Sequence, residues 1–233
     1  MKGFEDFNSN ELFTSDSTGG LLDSGVYPAL IKYAYFTKSA SGNTGLNVIL
    51  EINGKEIAPK TSWLMYSDGS KYKLENGKKV PTFAMKQFND LCYVATGLTV
   101  DRMQEPENKA VNIYDFQQQK KVPTMVPCLT ELTNKQIMVG IRKVNTHKQV
   151  KVGNSYVPTT TIKPTNTVDK YYTIEGKTAT EAVSGKEATY SVKWHNDNKG
   201  KVFEENLKVA PIEEPKTGGN APVESAAKEL NFD

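Results

Sequence analysis

Two histidines, two cysteines and scattered carboxylates are all that this chain offers to acid–base, nucleophilic or metal chemistry. His147 and His195 stand near no serine or cysteine in a nucleophile context. There is no phosphate-cradling GxxxxGK[ST], no GxGxxG after a strand and no HExxH. Cys92, Cys128, His147 and His195 share none of the close spacings on which zinc sites are built. The acids Glu51, Glu56, Asp68, Asp90, Asp101, Glu105, Glu107 and Asp115 form no compact carboxylate–lysine pattern of the kind metal-dependent phosphodiester cleavage needs. No catalytic residue, metal-ligand set or cofactor is therefore expected. Cys92 and Cys128 sit in apolar contexts and read as buried thiols of a cytosolic protein.

A different chemistry is better supplied. Tyr33, Tyr35, Trp63, Tyr66, Tyr72, Tyr156, Tyr171, Tyr172 and Trp194 each lie close in sequence to a lysine or arginine. Rings interleaved with lysines suit single-stranded nucleic acid, because bases stack on the rings while ammonium groups follow the phosphates. The competing use of such a ring is to cover the core with its polar edge outward, and about half of these aromatics are expected to do that. The candidate binding residues are Lys32, Tyr33, Tyr35, Lys38, Lys60, Trp63 and Tyr66 near the start, and Lys71, Tyr72, Lys73, Lys78 and Lys79 after them. Arg142, Lys143, His147, Lys148, Lys151 and Tyr156 form a later basic strip.

The elements that would carry these residues are mostly β. Residues 25–38 alternate apolar and polar positions, the period of a half-buried strand. Ser41-Gly42-Asn43 is a turn, 45–52 a second strand, Asn53-Gly54 a hairpin signal, and 55–66 the returning third strand. Three curling antiparallel strands of this length make the first half of a small barrel; a barrel core with snorkelling tyrosines fits them equally well. Residues 71–79 read as a protruding hairpin. Residues 82–96 read as a helix with Thr82 as N-cap, Gly97 as stop and one apolar face to cover the barrel. A second hairpin over 110–129, a strand over 136–144, a Thr/Pro-rich loop over 153–167 and two short helices over 178–183 and 187–196 follow.

Charge separates the ends from the body. Residues 1–23 carry five acids and one base, 211–233 five acids and two bases, so 24–210 keeps 26 of 29 bases and 17 of 27 acids, a net of +9. A basic body between acidic ends is the footprint of a polyanion binder whose ends compete for its site. Ordinary acidic tails on a solvated surface would give the same count. Residues 1–23 read as a flexible arm, 24–210 as the folded domain, and 211–233 as a disordered tail, where Pro215, Gly218, Gly219 and Pro222 resist regular structure. Mean hydropathy of −0.53 agrees with part of the chain lying outside any core. No apolar run approaches the ~18 residues of a membrane-crossing helix, and the start lacks the basic-then-apolar pattern of a secretory signal.

In order along the chain come SGVYPALIKYAYFTKSASG (24–42), GKKVP and FNDLCYVATG within 62–97, VNIYDFQQQKKVPTMV (111–126) and KWHNDNKGKV (193–202). This succession resembles the single-stranded DNA-binding proteins encoded by small tailed phages, over about residues 24–202. The resemblance implies a mostly β (α+β) fold: a five-stranded oligonucleotide-binding (OB) barrel with inserted hairpins, one packed helix and disordered tails. It implies sequence-independent coating of single-stranded DNA in replication, recombination or repair, with no reaction catalysed, in the cytoplasm of an infected bacterium. DNA would cross the first three strands, the 71–79 hairpin and the 142–151 stretch. The tail tip, Leu230, Phe232 and Asp233, would contact a phage DNA polymerase, helicase-primase or recombination protein; it carries fewer carboxylates than the tails of that family. A metal-dependent nuclease acting on single-stranded DNA and an adaptor that never meets nucleic acid are the rival readings.

Overall fold

The computed structural model describes residues 21–115, 118–153, 155–207 and 209–213. Most of the N-terminal arm, nearly all of the tail, and with it Leu230, Phe232 and Asp233, lie outside these residues. The described residues form two compact units: 21–145 with 164–204, and 146–163 with 205–213.

The first unit is a curled antiparallel half-barrel, mostly β with few helices, organised around strand β1, Gly25–Lys38. β2, Thr44–Ile52, pairs with β1 from Leu30 to Lys38, with a bulge at Lys32. β9, Gln136–Val152, pairs with the first part of β1, from Gly25 to Leu30. β10, Ser155–Tyr172, lies beyond β9. β3, Lys55–Ile57, and β4, Ser62–Met65, both pair with β2. Asn53 and Gly54 turn the chain between β2 and β3 with positive φ of 53° and 71°, the backbone that an Asn-Gly hairpin supplies at little cost. The single third strand expected over 55–66 is instead two short strands. Pro59 falls between them, where the missing N–H leaves no ladder bond to make.

Alternation then assigns the faces. Ala29, Ile31 and Ala34 of β1, Leu46, Val48, Leu50 and Ile52 of β2, Leu64 of β4 and Ile137, Val139 and Ile141 of β9 point to one core. Helix α1, Phe83–Thr96, lays Phe88, Leu91, Cys92 and Val94 on that core. Burying each such side chain contributes about 1.5–3 kcal/mol. Thr82 Oγ1 accepts the Met85 N–H at 3.3 Å, and Gly97 ends the helix at φ 76° with its N–H on the Tyr93 carbonyl, as the sequence predicts. Burial pushes the Cys92 thiol up to about 12, so this cysteine is packing and inert.

The outer face is covered twice. Helix α3, Tyr190–Asn198, seals Val26, Met138 and Tyr172 with Trp194. The hairpin of β7, Glu107–Asp115, and β8, Lys120–Cys128, folds back so that Val111 and Cys128 bury Tyr35. A third, separate ribbon pairs β5, Tyr72–Glu75, with β6, Lys78–Pro81. β11, Val202–Glu204, adds a short parallel edge to β9.

Between β10 and α3, the five-residue helix α2, Ala179–Val183, opens on a capping box closed by Thr178 and Glu181. The buried Glu181 carboxylate also accepts the Thr189 and Tyr190 N–H groups and the Thr189 hydroxyl. Burial alone would raise its pKa, but the donors from Thr178, Tyr190 and Thr189 outweigh it and hold the carboxyl at about 2. In the unfolded chain the same group titrates near the ordinary value of about 4.3. Its stabilisation is therefore fully present above that pH and drains away as pH falls toward 2. Urea unfolding of wild type and Glu181→Gln is expected to show a stability gap that is constant at neutral pH and narrows steadily in this acid window. A gap that persists unchanged at the acid end would refute the clamp.

The second unit is built from the far ends of β9 and β10. Thr146 Oγ1 donates to the Lys163 carbonyl at 2.6 Å, Thr159 Oγ1 to the Lys148 carbonyl at 2.9 Å, and Ile212 bridges in parallel to Thr159. The loop expected over 153–167 is thus overturned: β10 runs unbroken through Pro158 and Pro164. Its run of threonines, valine and isoleucine favours extended backbone, and each proline costs only one ladder donor.

Candidate nucleic-acid interface

The covers on the outer face leave one end of the first unit bare. The β7–β8 hairpin starts beside Tyr35, where Cys128 pairs with it, and its far end is tied to β3 by the Lys121–Glu56 ion pair. The neighbouring cross-strand rows, Thr37–Gly45–Trp63 and Lys38–Thr44–Met65, carry no such lid. Leu64 turns inward, so Trp63 turns outward and stays 49% exposed. Its indole lies over Gly45: a Cβ there would sit 2.9 Å from Trp63 Cε3 and 2.5 Å from Thr61 Cγ2. Thr61 Oγ1 in turn donates to Asn47 Oδ1 at 2.6 Å and fixes the approach to β4. One face of the ring is seated and the ring remains accessible, which is the geometry of a stacking platform.

Other aromatics and lysines converge there. The β1–β2 turn touches the next loop, where a Cβ on Gly42 would meet Ser67 Cβ at 3.3 Å. Tyr66, 57% exposed, exchanges backbone bonds with Gly69 and Ser70, which leads directly into the β5–β6 ribbon. On that ribbon Tyr72 is paired with Pro81 and Leu74 with Lys79, so Tyr72, Leu74 and Lys79 share one face. Lys38, Lys71, Lys78 and Lys79 enter no ion pair among the described residues. Lys60 lies just before β4.

Several sequence candidates have other duties. Tyr35 is buried under the β7–β8 hairpin and offers no ring face to a base, while Tyr33 is half-buried against the same cluster. Burial also raises the Tyr35 pKa. Lys32 pairs with Glu51 at 3.0 Å across β1 and β2, and that hydrogen bond raises the lysine pKa. Lys73 pairs with Glu75. Arg142 is held by Asp169 at 3.1 Å and stacked over Phe203, and Lys143 is held by Asp23 at 3.0 Å. Tyr171, Tyr172 and Trp194 are core. The expected strip from Arg142 to Lys151 is therefore not continuous. Its first two members are committed to the first unit, while His147, Lys148, Lys151 and Tyr156 belong to the second. There His147 Nδ1 meets the Thr159 carbonyl at 2.6 Å, and Lys148, Lys151 and Tyr156 are exposed.

Gly45 is the participant that sequence reasoning missed. A glycine inside an otherwise β-branched and apolar strand signals close approach by another group, and that signal was present.

Fold and site together define a mostly β protein with a bare sheet end that presents seated and exposed aromatics among unpaired lysines. No protein-family model matches the chain, and no curated protein matches it. No described helix is long and apolar enough to cross a membrane.

Proposed function

We propose that this protein binds single-stranded DNA without regard to sequence, and coats and protects it during phage DNA replication, recombination or repair. The observation that carries the reading is Trp63, half-exposed and seated on Gly45, beside Tyr66, Tyr72 and the unpaired Lys38, Lys71, Lys78 and Lys79. Bases stack on the rings, lysines replace the counterions of the phosphates, and no bond is made or broken. The curled sheet of β1, β2, β4, β9 and β10, with α1 against its inner face, supports reading the half-barrel as an OB-type barrel. On the same reading the chain works in the cytoplasm of the infected cell, and the acidic tail contacts replication or recombination proteins through Leu230, Phe232 and Asp233.

A fluorescence titration of labelled oligo-dT at several salt concentrations tests this. With roughly five phosphates neutralised, at about −0.7 per phosphate on single strands, log K is expected to fall against log salt with a slope of about −3.5. Duplex of the same length is expected to bind more weakly. A slope near zero, or no binding even at low salt, would sink the proposal.

A further inference from the structure

The β7–β8 hairpin reverses the usual placing of charge on a surface ribbon. Residues directly opposite on paired strands share a face. Val111, Ile113 and Val126 pack with the Tyr35 cluster and so mark the inward rows. The rows Ala110–Met125, Asn112–Pro123 and Tyr114–Lys121 therefore make the outer face, and all six residues are exposed. Met125 is 65% and Tyr114 47% exposed. A solvated strand face is where charged side chains ordinarily stand. Here Glu107, Lys109, Asp115 and Lys120 all fall in the inward rows, at the two ends of the hairpin. The outer face keeps only Lys121, and Glu56 neutralises it in an ion pair. Few charges with exposed Tyr and Met is the composition of a protein–protein contact rather than of a solvated face.

We propose that this outer face docks on the same face of a second copy of the chain. Charge selects the occupant. A nucleic acid or an acidic partner calls for bases that are not already neutralised, and a basic partner calls for acids; the face supplies neither. Residues 24–210 of each copy carry a net charge of +9, so two copies repel wherever their lysines meet. A neutral face is where they approach at least cost, and a two-fold axis sets that patch against itself. Area sets the strength. Two nine-residue strands about 4.8 Å apart, rising about 3.4 Å per residue, offer roughly 300 Å² per copy. A standard interface covers about 800 Å² per partner, so this pair is transient. On DNA the contact gains weight, and this step alone rests on the single-stranded DNA reading above. A dissociation constant of about 0.1 mM, met at about 1 mM effective concentration on a shared strand, raises apparent affinity about ten-fold. The two-fold turns the second copy about, so only a long, slack strand reaches both.

The full-length protein is tested by sedimentation without DNA and by binding to short and long oligo-dT. Wild-type mass is expected to rise from one copy toward two between roughly 10 µM and 1 mM, the range that brackets the constant above. Met125→Glu and Met125→Lys each set like charges against each other across the two-fold. Met125 is largely exposed, so both are expected to melt as wild type does and to stay single copies throughout that range. On an oligonucleotide that holds one copy they should bind within about two-fold of wild type. On a long one they should bind about ten-fold more weakly, whichever sign was introduced. A wild-type protein that stays a single copy, or variants that associate as it does, would overturn the proposal while leaving the single-strand reading intact. Losses as large on the short oligonucleotide as on the long one would make the face a DNA contact and overturn the docking. Should wild type bind no oligonucleotide yet associate, with both variants single, the docking stands and the single-strand reading fails.

Discussion

Trp63→Ala is expected to remain folded and to lose about 1–3 kcal/mol of binding to oligo-dT, roughly 5- to 150-fold in affinity. Folding survives because the indole is half-exposed and contributes nothing to the core that Leu64 helps build from the same strand. Binding falls because the ring is the one aromatic of the bare sheet end whose position is fixed from beneath, by Gly45. A ring held in place gives up little rotamer freedom on binding, so more of the stacking energy is retained. Gly45→Ala should reproduce much of the loss without touching Trp63. Its backbone does not occupy the left-handed region, but the new Cβ would fall within 3 Å of both the indole and Thr61 and must displace them. Fluorescence anisotropy with labelled oligo-dT reads both variants, with circular dichroism to confirm the fold. A folded Trp63→Ala protein that binds as tightly as wild type would remove the central support of the proposed function.

The second tryptophan should behave in the opposite way. Trp194→Ala is expected to lower the unfolding free energy by about 3–5 kcal/mol, the usual cost of emptying a large aromatic site in a core. Trp194 is 5% exposed and fills the space above Gly140, where a Cβ would lie 3.3 Å from its ring. It packs with Val26, Met138 and Tyr172, and its Nε1 donates to Asp169 Oδ2 at 2.9 Å. Asp169 keeps Arg142 as a partner after the change, so the loss is chiefly one of packing. Against a total stability of about 5–15 kcal/mol for a domain of ordinary size, this is a large fraction. Urea unfolding measures it, and binding at low temperature, where the variant stays folded, should be unchanged. A loss below about 1 kcal/mol would show that α3 is not the seal described here. In a Trp194→Phe background, intrinsic fluorescence would report on Trp63 alone.

The contrast between the two tryptophans shows where a linear reading stops. Each stands near a lysine and an apolar neighbour in sequence. Only the tertiary arrangement puts a helix over one side of the sheet and leaves the other tryptophan bare. The same holds for Tyr33 and Tyr35, whose spacing beside Lys32 and Lys38 suits base stacking on an open strand. The β7–β8 hairpin buries Tyr35 and leaves Tyr33 half-buried, and nothing near those tyrosines in the chain records where a distant hairpin will settle. Arg142 and Lys143 likewise read as a phosphate strip until Asp169 and Asp23, remote in sequence, are found beside them.

What the sequence determined by itself is local. The alternation of β1 and β2, the Asn53-Gly54 turn, the Thr82 and Gly97 ends of α1, the 71–79 ribbon and the capped α2 all follow from side-chain period, turn stereochemistry and end-group hydrogen bonding. These act over a few residues and leave their signature there. The tertiary structure alone decided which outer-face positions are sealed, that β10 continues through its prolines, and that Trp63 has a glycine beneath it. These outcomes depend on which apolar faces meet across long stretches of chain. That choice is made by summed burial over the whole core, so no single segment carries it.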